Sequence, residues 1–266
     1  MEYLSYIALG TCAGFLAGLL GVGGGLVIVP VLATLFVATA VNGELLMHLA
    51  VGTSLATIMF TSLSSVWAHH RKGAVQWRTV GRLTPGIVLG AWIGAAIADM
   101  LPTATLRILF GLFELYVAIQ LSLNIKPKPQ RNLPGSGGML GVGSAIGSVS
   151  AIVGIGGGTM TVPFLVWCNV AMRKAVATSA ACGMPIAVAG TIGFIVAGWG
   201  DPALPSMSIG YVYLPALLSI AGASILSAPL GARLAHRLPA DKLKKIFAVV
   251  LYALAIYMLL SSWISV

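Results

Sequence analysis

Two glycine runs stand out for what bare backbone can do. Gly21-Val-Gly-Gly-Gly25 and Gly154-Ile-Gly-Gly-Gly158 each lead into an apolar stretch, with a proline five residues past the run (Pro30, Pro163). Glycines leave the amides at a helix start open to close approach, and a helix N-terminus carries partial positive charge. The matching chemistry is anion binding by neutral donors, since neither run holds a charged residue. The candidate amides are those of Gly23, Gly24 and Gly25, and of Gly156, Gly157 and Gly158. A leucine at Gly24 or Gly157 is expected to abolish binding with the fold intact. Scattered pairs such as Gly86 and Gly90 read instead as helix-packing positions. A dinucleotide fingerprint is excluded, because that motif needs a preceding strand and a βαβ unit.

Hydroxyls form the second duplicated element. Ala50-Val-Gly-Thr-Ser54 matches Ala175-Val-Ala-Thr-Ser179. Thr53, Ser54, Thr178 and Ser179 would open a helix in each half, where they could cap it or donate to the same anion. Thr159 is a further donor, but Leu26 stands opposite it in the alignment, so any site is asymmetric. Glu114 lies mid-segment, and an intramembrane carboxylate is a candidate for proton coupling; a protonated packing residue is the plainer use. His48, His69, His70 and His236 are dispersed and make no metal site; they read as interfacial. Cys12, Cys168 and Cys182 lie in apolar stretches, which argues against a disulfide framework.

The elements that must position these groups are membrane helices. The chain has 266 residues, 58% hydrophobic and only 8% charged, with 33 glycines. So few charges cannot cover a water-soluble surface, and soluble enzymes and nucleic-acid-binding domains are excluded. Polar punctuation divides the chain into about ten apolar segments: 3–20, 26–41, 47–68, 81–100, 105–123, 139–154, 159–171, 175–198, 209–232 and 243–264. A Pro/Gly/basic linker over 126–138 separates a first repeat (1–125) from a second (139–266). Segments 26–41 and 159–171 are short for full spans and read as half-helices or re-entrant pieces. The fold class is all-α: a polytopic transmembrane bundle of about 8–10 segments.

The halves repeat each other. The glycine runs with their prolines are identical at six of ten positions, and Gly94-Ala-Ala-Ile-Ala98 matches Gly231-Ala-Arg-Leu-Ala235 in the same order. Of the 15 basic residues, all but Arg107 fall in four clusters that share one side if each half crosses five times. The positive-inside rule makes that side cytoplasmic. The net charge of +9 is then a topology signal and not evidence for a polyanion partner. Odd crossings also give the halves opposite orientation, a recurrent plan of secondary transporters with broken glycine-rich helices meeting at the midplane.

At GFLAGLLGVGGGLVIVPVL (14–32), IVGIGGGTMTVPFLVW (152–167), the Ala-Val-x-Thr-Ser elements and GYVYLPALLSIAGASILSAPLGARLAHRLP (210–239), the chain resembles the sulfite exporter TauE/SafE family. The resemblance implies a bacterial inner-membrane transporter, in the exporting sense, for small sulfur-containing anions such as sulfite, sulfoacetate or related sulfonates. It implies no cofactor and no catalysis. An anion channel and a membrane scaffold without transport are the other readings, and homo-oligomerisation is open.

Overall fold

The computed structural model describes residues 2–20, 24–39, 41–123, 130–235 and 240–264. Among them ten helices follow one another: α1 (Glu2–Leu20), α2 (Gly25–Ala38), α3 (Leu46–Arg71), α4 (Trp77–Asp99), α5 (Thr103–Ser122), α6 (Ser136–Val153), α7 (Gly158–Trp167), α8 (Met172–Ala197), α9 (Leu214–Ala235) and α10 (Ala240–Ile264). They coincide with the ten apolar segments, five in each half. α3, α4, α5, α6 and α8 are long and apolar enough to cross a membrane. α2 and α7, with 14 and 10 residues, extend only about 21 and 15 Å at 1.5 Å per residue, against a hydrocarbon core of about 30 Å. Both are half-helices in length, as expected.

One segment departs from the expectation. The stretch read as a helix from 209 opens with a hairpin, in which β1 (Ser208–Ile209) pairs antiparallel with β2 (Val212–Tyr213). Gly210 turns it with φ +52°, and a Cβ there would run into the Ile195 carbonyl, so a side chain has no room. The Tyr211 amide donates to the Phe194 carbonyl, docking the hairpin on the end of α8. The apolar Tyr211 and Val212 owe their place to this burial and not to a helical turn, while Ile209 is exposed.

Helix packing follows the duplication. α1 packs on α9 and α6 on α4, while α3 meets α8 and α5 meets α10. Exchanging the two halves returns these four pairings unchanged. Small residues make the close pairs possible. Gly86, Gly90 and Gly94 face Leu140, Ser144 and Ser148 of α6, and Gly10 and Gly14 face Ile220 and Ser224 of α9. Lipid offers no hydrophobic drive for helix association, so close approach and interhelical hydrogen bonds do the holding. Ser148 donates to the Gly90 carbonyl and Ser224 to the Gly10 carbonyl, each at 2.9 Å. In both pairs the contacts advance together along the two sequences, so the partners run parallel.

The ends of the bundle differ in charge. Asp99 at the end of α4 accepts a hydrogen bond from the Tyr211 hydroxyl, at 2.9 Å, just before α9 begins. Glu44, which precedes α3, shares a cavity with Asp99, and Asp201 acts electrostatically on Tyr211. This is the acidic end. At the opposite, basic end, Arg71 stacks on Trp67 and Arg131 on Trp167. The Gln130 and Arg131 amides both donate to the Trp167 carbonyl, which ties the linker to the end of α7. Exposed Leu89, Trp92, Ile93 and Ile97 on α4, with Leu112, Tyr116 and Ile119 on α5, form part of an apolar outer belt.

Candidate functional site

The two glycine breaks meet. Gly25, at the start of α2, lies against the Gly154 carbonyl and the Ile155 Cα, and Ile58 of α3 touches both Gly25 and Gly156. α8 closes the other side, with Gly183 against the Gly156 carbonyl and Ile186 against Gly157. Gly154 and Gly157 take left-handed φ values of +74° and +69°, which L side chains adopt only at a cost. Two left-handed residues end α6 and start α7 without a helical connection. A leucine at Gly157 would strain this backbone and drive into Ile186, so it would not leave the fold intact as expected. Gly24, with φ −72°, imposes no such restriction. Gly23 lies outside the described residues, as do Gly21, Lys126, Lys128, His236 and Arg237.

The start of α7 leaves several backbone donors unengaged. The Thr161 and Met160 amides bond to the Gly157 carbonyl. Among the described residues the amides of Gly156, Gly157, Gly158 and Thr159 find no acceptor. Four enclosed hydroxyls, those of Ser150, Thr159, Thr161 and Ser179, also lack any partner. Ser150 Oγ lies beside Gly157, and Ser179 stands one helical turn before Gly183 on α8. A buried hydroxyl without a hydrogen bond costs about 1–3 kcal/mol, so four on α6, α7 and α8 need an explanation.

All four come from the second half of the chain. Their counterparts in the first half are apolar or already engaged: Leu26 stands opposite Thr159, and Ser54, opposite Ser179, donates to the Gly154 carbonyl at 2.9 Å. The unpartnered hydroxyls are thus distributed unequally between the halves. Ser150 escaped the sequence reading because it sits outside the duplicated elements, and Thr161 because it stands opposite the apolar Ile28 within one of them. The only signal was a serine one turn before a glycine run.

Thr53 and Thr178 have a different part from the expected one. α3 and α8 begin at Leu46 and Met172, well before the Thr-Ser pairs, so these residues do not open or cap their own helices. Each instead accepts a hydrogen bond from the other half. The Tyr213 amide, just ahead of α9, donates to Thr53 Oγ1 at 3.0 Å. The Gln76 amide, at the N-cap of α4, donates to Thr178 Oγ1 at 3.1 Å. The two bonds exchange when the halves are exchanged, one toward the acidic end and one toward the basic end. Both hydroxyls are fully buried and keep their own hydrogen to donate.

Glu114 is 0% exposed, and neither carboxyl oxygen has a hydrogen-bond partner among the described residues. Among the described residues no hydrogen bond joins it to either break. Cys182 is buried in the core, as expected, whereas His48, read as interfacial, is buried near the start of α3. A cavity of about 980 Å³ opens at the acidic end beside it, lined in part by Glu44, Asp99, Arg107 and Tyr211. Burial and the hydrogen bond to Asp99 push the Tyr211 phenol well above its ordinary pKa, so it is a fixed donor across the working pH range.

The sequence profile of the family described as Sulfite exporter TauE/SafE matches residues 6–258. A "Probable membrane transporter protein" of Haemophilus influenzae is 41% identical over 257 residues, covering 96% of this chain and 97% of its own. A relative of the same description in Methanocaldococcus jannaschii is 26% identical, over 96% and 94% of the two chains. Another, from Xylella fastidiosa, is 29% identical over 97% and 95%. No solved structure matches the chain. With its helical spans and near-complete coverage by the profile, this chain belongs to the sulfite exporter TauE/SafE family, and it is an integral multi-pass membrane protein of a transporter family.

Proposed function

We propose that the protein exports small sulfur-containing oxyanions or sulfonates, such as sulfite or sulfoacetate, by alternating access around an anion site at the start of α7. One observation carries this reading: among the described residues a helix N-terminus has free amides, with the unpartnered Ser150 Oγ beside Gly157 and unpartnered hydroxyls on Thr159 and Thr161 of the same helix and on Ser179 of the neighbouring α8. Each is a donor without an acceptor, and an oxyanion is an acceptor with several lone pairs. Gly156, Gly157, Gly158 and Thr159 supply amides, while Ser150, Thr159, Thr161 and Ser179 supply hydroxyls. Gly25 lies against the Gly154 carbonyl from the first half, with Ser54 also donating to that carbonyl; Gly24 stands beside it at the N-cap of α2. Donors to an anion contribute about 1.5–3 kcal/mol each, offset by the anion's desolvation. With no cation in the set, binding is weak enough for release.

The halves act as inverted repeats in this scheme. α4 ends and α9 begins at the same end, and the exchange-symmetric pairings give each half the same partners; both features support that reading. By the positive-inside rule the basic end is cytoplasmic. Thr53 and Thr178 then tie down the outer and inner faces in turn, and Glu114 carries the coupling proton.

Flux into proteoliposomes tests the reading with a panel of sulfite, sulfate, thiosulfate, sulfoacetate and acetate. A carrier accumulates its anion against a gradient and shows counterflow, which a channel does not. Absence of flux for every sulfur anion, or equal uptake of acetate, overturns the assignment. Ser150→Ala and Ser179→Ala each lower the anion's apparent affinity several-fold if the site is at α7.

A further inference from the structure

We propose that the outward face of α4 and α8 holds one anionic phospholipid, with an acyl chain in the groove between the two helices and the phosphate at their basic starts. The helices run side by side and parallel. Near their starts the Gln76 amide reaches Thr178 Oγ1 at 3.1 Å, and near their ends Gly193 lies against Ala95 and Trp92. Between these contacts they leave an open cavity of about 410 Å³. Trp77, Val80, Thr84, Val88 and Trp92 line it at helical spacing on α4, and Ala181, Pro185, Val188 and Ile192 do so on α8. The wall offers a ligand little to bond to. The Thr84 hydroxyl donates to the Val80 carbonyl at 2.8 Å, and the Trp77 indole N–H donates to His70 Nδ1 at 3.1 Å. From Trp77 to Trp92 the groove follows α4 for about 22 Å at 1.5 Å per residue. One leaflet contributes only about 15 Å to the hydrocarbon core, so an acyl chain of the basic-end leaflet can lie in the groove along its whole length.

The mouth of the groove selects among lipids. Residues 66–98 and 172–198, which build it, carry Arg71, Lys72, Arg78, Arg82, Arg173 and Lys174 and no acid. All six are exposed. Arg78 follows Trp77 directly, and Lys174 precedes Ala181 by seven residues, which puts it on the groove face of α8. His70, whose Nδ1 accepts from Trp77, carries its proton on Nε2 and adds a neutral donor. A phosphodiester supplies the negative charge that these groups lack, and it is tethered to the chain that fills the groove. The matching face of the other half, between α9 and α3, is built differently. In the alignment of the halves Phe60 and Leu63 stand for Pro185 and Val188, and Ile195 and Leu214 for His70 and Trp77. That face starts at the acidic end, beside Asp99, so bulk and charge both disfavour the same ligand there. The lipid also backs the helix that closes the glycine break, since another side of α8 sets Gly183 and Ile186 against Gly156 and Gly157. Its site needs no transported anion.

Native mass spectrometry of the full chain, released from detergent micelles doped with one lipid at a time, tests the site without any transported anion. Phosphatidylglycerol is compared with phosphatidylcholine of the same acyl chains, and with glycerol 3-phosphate as a headgroup alone. Wild type should retain one phosphatidylglycerol with a preference of roughly fivefold or more over phosphatidylcholine, as expected for one basic residue at an anionic lipid. It should retain no glycerol 3-phosphate. Val188→Phe, which fills the groove, should lose the retained lipid. The rim variant Arg78→Gln with Lys174→Gln should bring the two lipids to within about twofold. Leu89→Phe, on the exposed surface of α4 beside the groove, should bind as wild type does. If Val188→Phe does not assemble, the rim variant, altered only at exposed positions, decides alone. Equal retention of the two lipids by wild type, or an unchanged preference in the rim variant, overturns the proposal. Retained glycerol 3-phosphate would move the site to the basic loops alone and overturns it too. So does a wild-type dimer that Val188→Phe converts to a monomer with lipid retention unchanged, which gives the groove to a second copy. A silent flux panel would remove the transport reading and leave each of these results standing.

Discussion

Thr53→Val and Thr178→Val should push the protein in opposite directions. Each substitution keeps the shape and removes one acceptor, releasing the Tyr213 amide in the first case and the Gln76 amide in the second. A hydrogen bond of this kind contributes about 1 kcal/mol net, and measured interhelical bonds in membranes average about 0.6 with a maximum near 1.7 kcal/mol. The loss of 0.6–1.5 kcal/mol from one end corresponds to a shift of roughly 3- to 13-fold in the balance between the two open states. Both bonds are formed here together, so each variant unfastens one face only. Met47 and Ala177 are fully buried, near the acidic and basic starts of α3 and α8. Cysteines placed there, in a chain with Cys12, Cys168 and Cys182 replaced, report which face opens to a membrane-impermeant maleimide. Thr53→Val should raise labelling at position 47 and lower it at 177; Thr178→Val should do the reverse, and the double variant should restore the balance. Labelling that rises at the same end in both variants, or changes less than about twofold in either, refutes the reasoning.

Ser150→Ala and Ser179→Ala each remove a buried hydroxyl with no partner, so the anion-free protein should be unchanged or up to about 1 kcal/mol more stable while anion affinity falls; a lower melting temperature in both would contradict the site. Gly156→Ala should fold normally, because its new methyl meets only Ile58 Cγ2 at 3.4 Å, and should slow flux, whereas Gly157→Ala should cost about 1–2 kcal/mol for its left-handed backbone; thermal unfolding in nanodiscs separates the two. Gly90→Leu, whose side chain would enter the α4–α6 contact against the Ser144 carbonyl, should prevent stable assembly, read as loss of a monodisperse peak on size-exclusion chromatography. Glu114→Gln should fold as wild type and lose the stimulation of flux by a pH gradient; retained stimulation would take the coupling role from Glu114.

Hydrophobic runs, punctuation and duplication were enough to place ten helices and to call α2 and α7 short, because span length and a repeated motif are written locally in the chain. Composition likewise settled the membrane setting, since a surface needs charges and this chain has few. The glycine runs were legible as a pair for the same reason. Which hydroxyls remain without partners was not, because that depends on what lies across the bundle. Thr53 and Ser179 look alike in sequence, yet the first accepts from the Tyr213 amide and the second has no hydrogen-bond partner among the described residues. Ser150 and Thr161 gained their place only when α6 and α7 folded around Gly157. The hairpin at 208–213 was hidden as well, its apolar Tyr211 and Val212 reflecting burial near α8 and α3. Sequence thus determined the elements and their duplication. Tertiary structure alone decided the polarity of the site, because hydrogen-bond satisfaction is a property of neighbours brought together from distant parts of the chain.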